Sequence, residues 1–155
     1  MELRMEPYDA KSHRAIIMKK LKEEVSDRET YQSMENLRLT GNFGFVAFNQ
    51  QRPVGFIHAI YDKGNSTAWA LFVYSFEKRL GVGKKLIETM IDALTERKTR
   101  ELTGLVNQDS KRILERIIKE RGLKATMHRT KQALDDSEPE SSKQWFFRIE
   151  LSQKP

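Results

Sequence analysis

The segment Lys78-Arg79-Leu80-Gly81-Val82-Gly83-Lys84-Lys85 sets two glycines among four cations. An apolar run from Thr67 to Tyr74 precedes it, and Leu86, Ile87, Met90, Ile91 and Leu94 follow at helical spacing. Strand, glycine turn and helix, in that order, suit the binding of a phosphate. The first-turn amides of a helix have no intrahelical acceptors, and the macrodipole adds partial positive charge to them. Gly81 and Gly83 let a backbone approach an anion with no Cβ in the way. Lys78, Arg79, Lys84 and Lys85 crowd positive charge around the same spot. The plain alternative is a tight strand–helix turn with solvated lysines.

Spacing narrows the choice of anion. A nucleotide-hydrolase P-loop needs Gly-x4-Gly-Lys-Ser/Thr, but counting from Gly83-Lys84 puts Lys78 at the first glycine and Lys85 at the hydroxyl position. The dinucleotide fingerprint Gly-x-Gly-x-x-Gly would require glycine at Leu86. Both motifs fail.

Other chemistry-bearing groups are sparse. The chain has no cysteine, which removes disulfides, thiolate metal sites and a thiol nucleophile. His13, His58 and His128 are scattered, so no metal centre is expected. No Gly-x-Ser-x-Gly elbow is present. Asp135, Asp136, Glu138 and Glu140 form an acidic loop, either solvated or attractive to a cationic acceptor. Trp145-Phe146-Phe147 reads as a sheet strand; as a nucleic-acid platform it would need interleaved basic residues.

The elements that must position these groups follow from periodicity. Leu3 to Tyr8 reads as a first strand. Asp9 then caps a helix carrying Ile16, Ile17, Leu21 and Val25. Ser26 and Glu29 fit a capping box that opens a second helix to about Leu39. Phe43 to Phe48 and Val54 to Tyr61 form a hairpin across a polar turn, and Thr67 to Tyr74 is a central strand, apolar on both faces. The helix after Gly83 runs to about Lys98. Leu102 to Asn107 is a further strand, and Asp109 or Ser110 caps a helix that ends at Gly122. Leu123 to Ala133 and Gln144 to Leu151 complete the order βααβββαβαββ. One mixed twisted sheet with helices on both faces is predicted, an α/β (α+β) domain spanning residues 1–155.

Composition fits this picture. The formal charge of +6 favours polyanionic partners in general, although scattered surface lysines produce such an excess as readily. No run approaches the ~20 apolar residues of a membrane span, and the N-terminus lacks a signal-peptide core. A cytoplasmic protein with no membrane partner is expected.

In this context Lys78-Arg79-Leu80-Gly81-Val82-Gly83 resembles motif A of the GNAT (GCN5-related N-acetyltransferase) superfamily, Gln/Arg-x-x-Gly-x-Gly/Ala, with lysine in first place. The element order matches that family from about Leu3 to Leu151. The resemblance implies acetyl-CoA as co-substrate and a primary amine on a small molecule or peptide as acceptor, joined by direct transfer. It implies that backbone groups at Leu71, Phe72 and Val73 hold the pantetheine arm and polarise the thioester carbonyl. It further implies that the amides from Arg79 through Leu80, Gly81, Val82 and Gly83 to Lys84 hold the pyrophosphate, with Lys85 alongside. Asn107 would face the pantetheine or the acceptor, or simply begin a turn. Ser110 or Lys111 stands near the family's helix asparagine.

Departures from the family bear on catalysis. Aligning Gly122-Leu123 with the family's Gly-Phe puts Ile118 where a tyrosine usually protonates the departing thiolate. Tyr74 or Tyr61 could replace it as acid. Asp62, Glu77 and His58 are candidate bases. A rival reading keeps the CoA cradle without turnover, as a regulatory module; a basic nucleic-acid-binding domain is a third, not expected here. A homodimer would form through the terminal strands.

Overall fold

The computed structural model describes residues 2–24, 42–77, 81–129 and 144–151. The predicted helix from Ser26 to Leu39 and the acidic loop 135–140 lie outside these residues. Seven strands and three helices are described: β1 (Leu3–Pro7), α1 (Ala10–Glu24), β2 (Phe43–Asn49), β3 (Arg52–Asp62), β4 (Thr67–Ser75), α2 (Val82–Glu96), β5 (Glu101–Asn107), α3 (Gln108–Arg121), β6 (Lys124–Arg129) and β7 (Gln144–Glu150). They build one mixed sheet in the order β1-β2-β3-β4-β5-β7-β6.

β4 and β5 run parallel, so the chain must cross over between them, and α2 is that crossover. Its stripe at helical spacing, Val82, Leu86, Ile87, Met90, Ile91 and Leu94, is buried. These side chains pack with Leu114 and Ile117 of α3 and with Ile57, Phe147 and Ile149 of the sheet, forming the main core on one face. A smaller core on the other face joins Ile17 of α1 to Val46, Phe48 and Phe56. Helices therefore cover both faces. No described helix is long and apolar enough to cross a membrane.

Local chemistry explains the helix ends. Asp9 opens α1 as expected: its carboxylate accepts from the Lys11 amide at 3.3 Å and the Ser12 hydroxyl at 2.9 Å. His13 adds a second tie. Its Nδ1 accepts from the Asp9 amide at 2.9 Å, which leaves the proton on Nε2, 3.0 Å from Glu6. Ile17 faces inward beside His13, whereas Ile16, expected on the same stripe, is 43% exposed.

The cap of α3 differs from expectation. Neither Asp109 nor Ser110 caps it; Asn107 does, its Oδ1 accepting from the Ser110 amide at 2.9 Å. Strand and helix thus abut with no intervening loop. Gly122 ends α3 as expected, at φ 63°, with the Leu123 amide donating to Ile118 and the Gly122 amide to Lys119.

Strand alternation also separates the aromatic triplet. Trp145 Nε1 donates to Gln108 of α3, and Phe147 is buried in the main core. Phe146 points to the opposite face, against His128 and Trp69. The three rings share no platform.

Candidate functional site

β4 and β5 share only four rungs, from Thr67–Glu101 to Ala70–Gly104. Each strand then continues with its outer neighbour, β4 with β3 as far as Ser75–Gly55 and β5 with β7 as far as Asn107–Gln144. The sheet therefore splits along its middle. Register supplies a cause: His58 faces Phe72 while the next residue, Ala59, faces Ala70, so Leu71 is an extra residue in β4. Such a bulge bends a strand and increases its twist, and this one falls one residue past the last β4–β5 rung. From Leu71 onward β4 has no ladder partner on its β5 side.

The N-terminus of α2 stands at the mouth of that split. Gly81 precedes it at φ 65°, a left-handed conformation that glycine adopts without Cβ strain. No side chain caps this helix, and the first helical bond runs from the Lys85 amide to the Gly81 carbonyl at 3.0 Å. The amides of Val82, Gly83 and Lys84 thus precede the first intrahelical donor. A Cβ built on Gly81 would meet nothing within 4 Å, so the approach is open. A cleft of about 730 Å³ joins this terminus to Val73, Tyr74 and Ser75 of β4 and to one side of α3.

The structure gathers many of the predicted site residues here. Val73, Tyr74, Gly81, Val82, Gly83, Lys84, Asn107 and Ser110 all line the cleft. Lys84 does so while paired to Glu120 of α3 at 2.9 Å. Asn107 lines it too, although its Oδ1 is engaged as the α3 cap. Leu71 and Phe72 lie on the unpaired stretch of β4. Lys78, Arg79 and Leu80 lie outside the described residues.

Other candidates go elsewhere. Lys85 is exposed and turned away from the cleft, because one residue along a helix rotates a side chain by about 100°. Asp62 faces Thr67, at the opposite end of β4 from Tyr74. Its carboxylate accepts from the Asn65 side chain at 2.7 Å and the Asn65 amide at 3.2 Å, and these bonds hold its pKa below the usual carboxylate range. Asp62 is a hairpin residue. Glu77 pairs with Arg52 at 2.6 Å and does not line the cleft. Tyr61 sits beside Asp62, with its ring under the Arg97 guanidinium. Ile118, at the usual tyrosine position, packs against the main core.

His58 is buried under the Tyr8 ring, centroids 4.7 Å apart, and its Nε2 has no hydrogen-bond partner among the described residues. Burial pushes its pKa down to about 4, so the ring is neutral near pH 7. Tyr74 places its ring against Phe56 and Phe76, at 6.2 and 5.2 Å. Of the candidate acids and bases, Tyr74 alone is both a cleft residue and a phenol.

Sequence reasoning missed Arg112 and Arg116. Both line the cleft on either side of Ile113. Their spacing, offset from the buried Leu114 and Ile117, was visible as an outer helix face. Only the packing of α3 against α2 turns that face toward the glycines. Among the described residues no three of His, Asp or Glu gather as a metal site.

Comparison with known proteins agrees with this geometry. The model of the acetyltransferase (GNAT) family matches residues 7–118. No curated protein sequence matches the chain. Solved structures do. The ribosomal-protein-S18-alanine N-acetyltransferase of Escherichia coli superposes with a TM-score of 0.70 at 13% identity, over 99% of this chain and 97% of that one. The diaminobutyrate acetyltransferase of Paenibacillus lautus, solved with L-2,4-diaminobutyric acid and coenzyme A, gives 0.68 at 15%, over 99% and 98%. Aminoglycoside 6′-acetyltransferase type Ii gives 0.69 at 14%, over 98% and 99%. At these identities the superpositions establish the shared fold, while the family match spans most of the chain. The chain belongs to the GNAT acetyltransferase family.

Proposed function

We propose that this protein is an acetyl-CoA-dependent N-acetyltransferase that transfers the acetyl group directly to a primary amine of a small molecule or a peptide. The observation that carries the reading is the parting of β4 from β5 after Ala70–Gly104, with the uncapped N-terminus of α2 at the opening. A pyrophosphate fits the second feature and a narrow extended arm fits the first.

When bound, acetyl-CoA supplies an acetyl group activated as a thioester. The chain's own contribution is largely positional. The amides of Val82, Gly83 and Lys84 anchor the phosphates, assisted by the α2 dipole. The backbone of Leu71, Phe72 and Val73 orients the arm and offers a fixed amide to the acetyl oxygen. One pre-aimed donor of this kind is worth ~2.7–4 kcal/mol. Holding the amine beside the acetyl carbon removes much of the entropic cost of their meeting. An alkyl amine is only roughly one part in a few thousand unprotonated at pH 7, so its proton must leave before attack. Tyr74 is the proposed proton donor to the departing sulfur.

The solved neighbours act on a ribosomal protein alanine, on L-2,4-diaminobutyric acid and on an aminoglycoside. Acceptor choice therefore varies on this fold, and the proposal commits to an amine class alone. A cytoplasmic location and a homodimer remain expectations from the sequence.

The test is calorimetric titration of acetyl-CoA into wild type and Gly81→Asp. The left-handed φ costs a non-glycine residue about 1–2 kcal/mol, so the variant should stay folded. Micromolar binding by wild type that is lost in the folded variant supports the cradle. Absence of binding by wild type would overturn the proposal.

A further inference from the structure

The cleft occupies one face of the sheet. On the other face, α1 settles its Ile17 on Val46, Phe48 and Phe56 of β2 and β3. Farther across that face, strand alternation brings up Trp69 of β4, Leu105 of β5, Phe146 of β7 and His128 of β6. Their chain neighbours Ala68, Val106, Phe147 and Met127 point the opposite way, into the main core. Trp69 is 37% and Leu105 40% exposed; with Ile16 they are the large apolar side chains left exposed among the described residues. Phe146 joins them into one patch, its ring 6.0 Å from Trp69 and 5.1 Å from His128.

The patch borders the opening in the sheet. Leu105 is the first residue of β5 past the Ala70–Gly104 rung, and Trp69 precedes that rung on β4. Across the gap, on this same face, the Tyr74 ring stacks on Phe56. The cleft reaches the gap from the other side, along Val73. A molecule resting on the patch therefore meets, through the gap, whatever the cleft holds along β4.

Charge narrows what that molecule is. The described carboxylates on this half of the face stand at the other end of the strands, and each has a partner. Glu101 pairs with Arg148 at 3.6 Å, Glu150 with Lys124 at 3.8 Å, and Asp62 accepts from Asn65 at 2.7 Å. Next to the patch the sheet presents Ile60 and Thr103, neither of them acidic. A second ammonium brought here would lose water and gain no counter-charge. A lone amine gains instead, because apolar surroundings favour its neutral, nucleophilic form.

We infer that this face receives the acceptor, and that the acceptor is a small primary monoamine carried on an aromatic ring. The inference rests on the acetyl-transfer reading and names the substrate class for it. The ring lies against Trp69, Leu105 and Phe146, where offset and edge-on contacts between aromatic groups add to burial. The amine enters the gap beside Leu105. Its nitrogen gives one proton to water and bonds to the acetyl carbon as the carbon–sulfur bond breaks. The sulfur takes a proton from Tyr74, and the second proton on nitrogen, passed through water, restores the phenol. An N-acetyl amide and free coenzyme A result.

The experiment follows release of free coenzyme A from acetyl-CoA with 2-phenylethylamine and with 1,4-diaminobutane, in wild type, Trp69→Ala and Leu105→Glu. Circular dichroism checks folding, and calorimetry the affinity for acetyl-CoA. Wild type should use 2-phenylethylamine with a kcat/KM roughly tenfold or more above that for the diamine, the gain from burying one aromatic ring. Trp69→Ala should lose about tenfold on 2-phenylethylamine, chiefly in KM, with acetyl-CoA affinity held within about twofold. Leu105→Glu supplies the missing carboxylate and should shift the preference toward the diamine by about tenfold, which lost packing alone would not do. A wild type that binds acetyl-CoA but prefers the diamine, or acetylates neither amine, overturns the inference and leaves the coenzyme cradle standing. Sedimentation that finds a wild-type dimer split by Leu105→Glu also overturns it, since the face is then an interface between copies. Failure of wild type to bind acetyl-CoA removes the acetyl-transfer reading itself, and this inference with it.

Discussion

Gly104 lies so close to Ala70 that a Cβ on the glycine would sit 2.9 Å from the Ala70 carbonyl oxygen and 3.0 Å from its Cβ. These residues form the last rung between β4 and β5. The strands thus part from a point of close backbone approach, with Phe147 pressed on the same spot at 2.9 Å. Gly104→Ala should lower the unfolding free energy by about 1–3 kcal/mol, the usual cost of overpacking a filled core. Urea denaturation measures it. Acetyl-CoA affinity should fall too, because the rung fixes where the split begins; unchanged stability would show that β5 shifts freely at this point.

His58 makes stability depend on acidity. Burial depresses its folded-state pKa to about 4, against roughly 6.5 in the unfolded chain. The unfolded state therefore takes up a proton first as pH falls. Stability is full above pH ~6.5 and is lost progressively from there down to about pH 4. Between pH 7 and pH 5 this group alone should account for about 2 kcal/mol. A His58→Leu variant should lose that much less over the same interval, measured by denaturant midpoints at the two pH values. Parallel curves for the two proteins would refute the assignment.

Asn107 both caps α3 and lines the cleft. Asn107→Ala removes the acceptor for the Ser110 amide and should cost about 1 kcal/mol. Asn107→Asp keeps an acceptor at the same place and should recover most of the loss. If Asp fails to restore stability while acetyl-CoA binding falls equally in both, the side chain's role is toward the ligand and not the helix.

Tyr74 and Asp62 give opposite expectations. Tyr74→Phe preserves the ring contacts with Phe56 and Phe76 but removes the hydroxyl. Loss of a general acid should reduce kcat by about 10²-fold or more, with little change in the KM for acetyl-CoA. Asp62→Ala, at the far end of β4, should leave turnover of an amine panel unaltered and cost only a turn's worth of stability, below about 1 kcal/mol. Release of free coenzyme A reports both. A silent Tyr74→Phe would pass the proton to solvent.

What the sequence determined by itself is the local grammar. The Thr67–Tyr74 run, the Gly81-Val82-Gly83 turn and the apolar stripe from Leu86 to Leu94 specify strand, left-handed turn and buried helix, because each signal spans only a few residues. Gly122 was equally legible as the end of α3. From these came the phosphate cradle and the family resemblance. The tertiary structure decided the rest. It inserted β7 between β5 and β6, moved the α3 cap back to Asn107, and sent Asp62 to the wrong end of β4. It buried His58 with no hydrogen-bond partner for its Nε2 among the described residues and turned Arg112 and Arg116 toward the glycines. None of these follows from periodicity, since each depends on which face of one element meets another far along the chain. The register of β4 against β3, with its extra residue at Leu71, sets where the sheet opens, and register is a property of paired strands, not of either one alone.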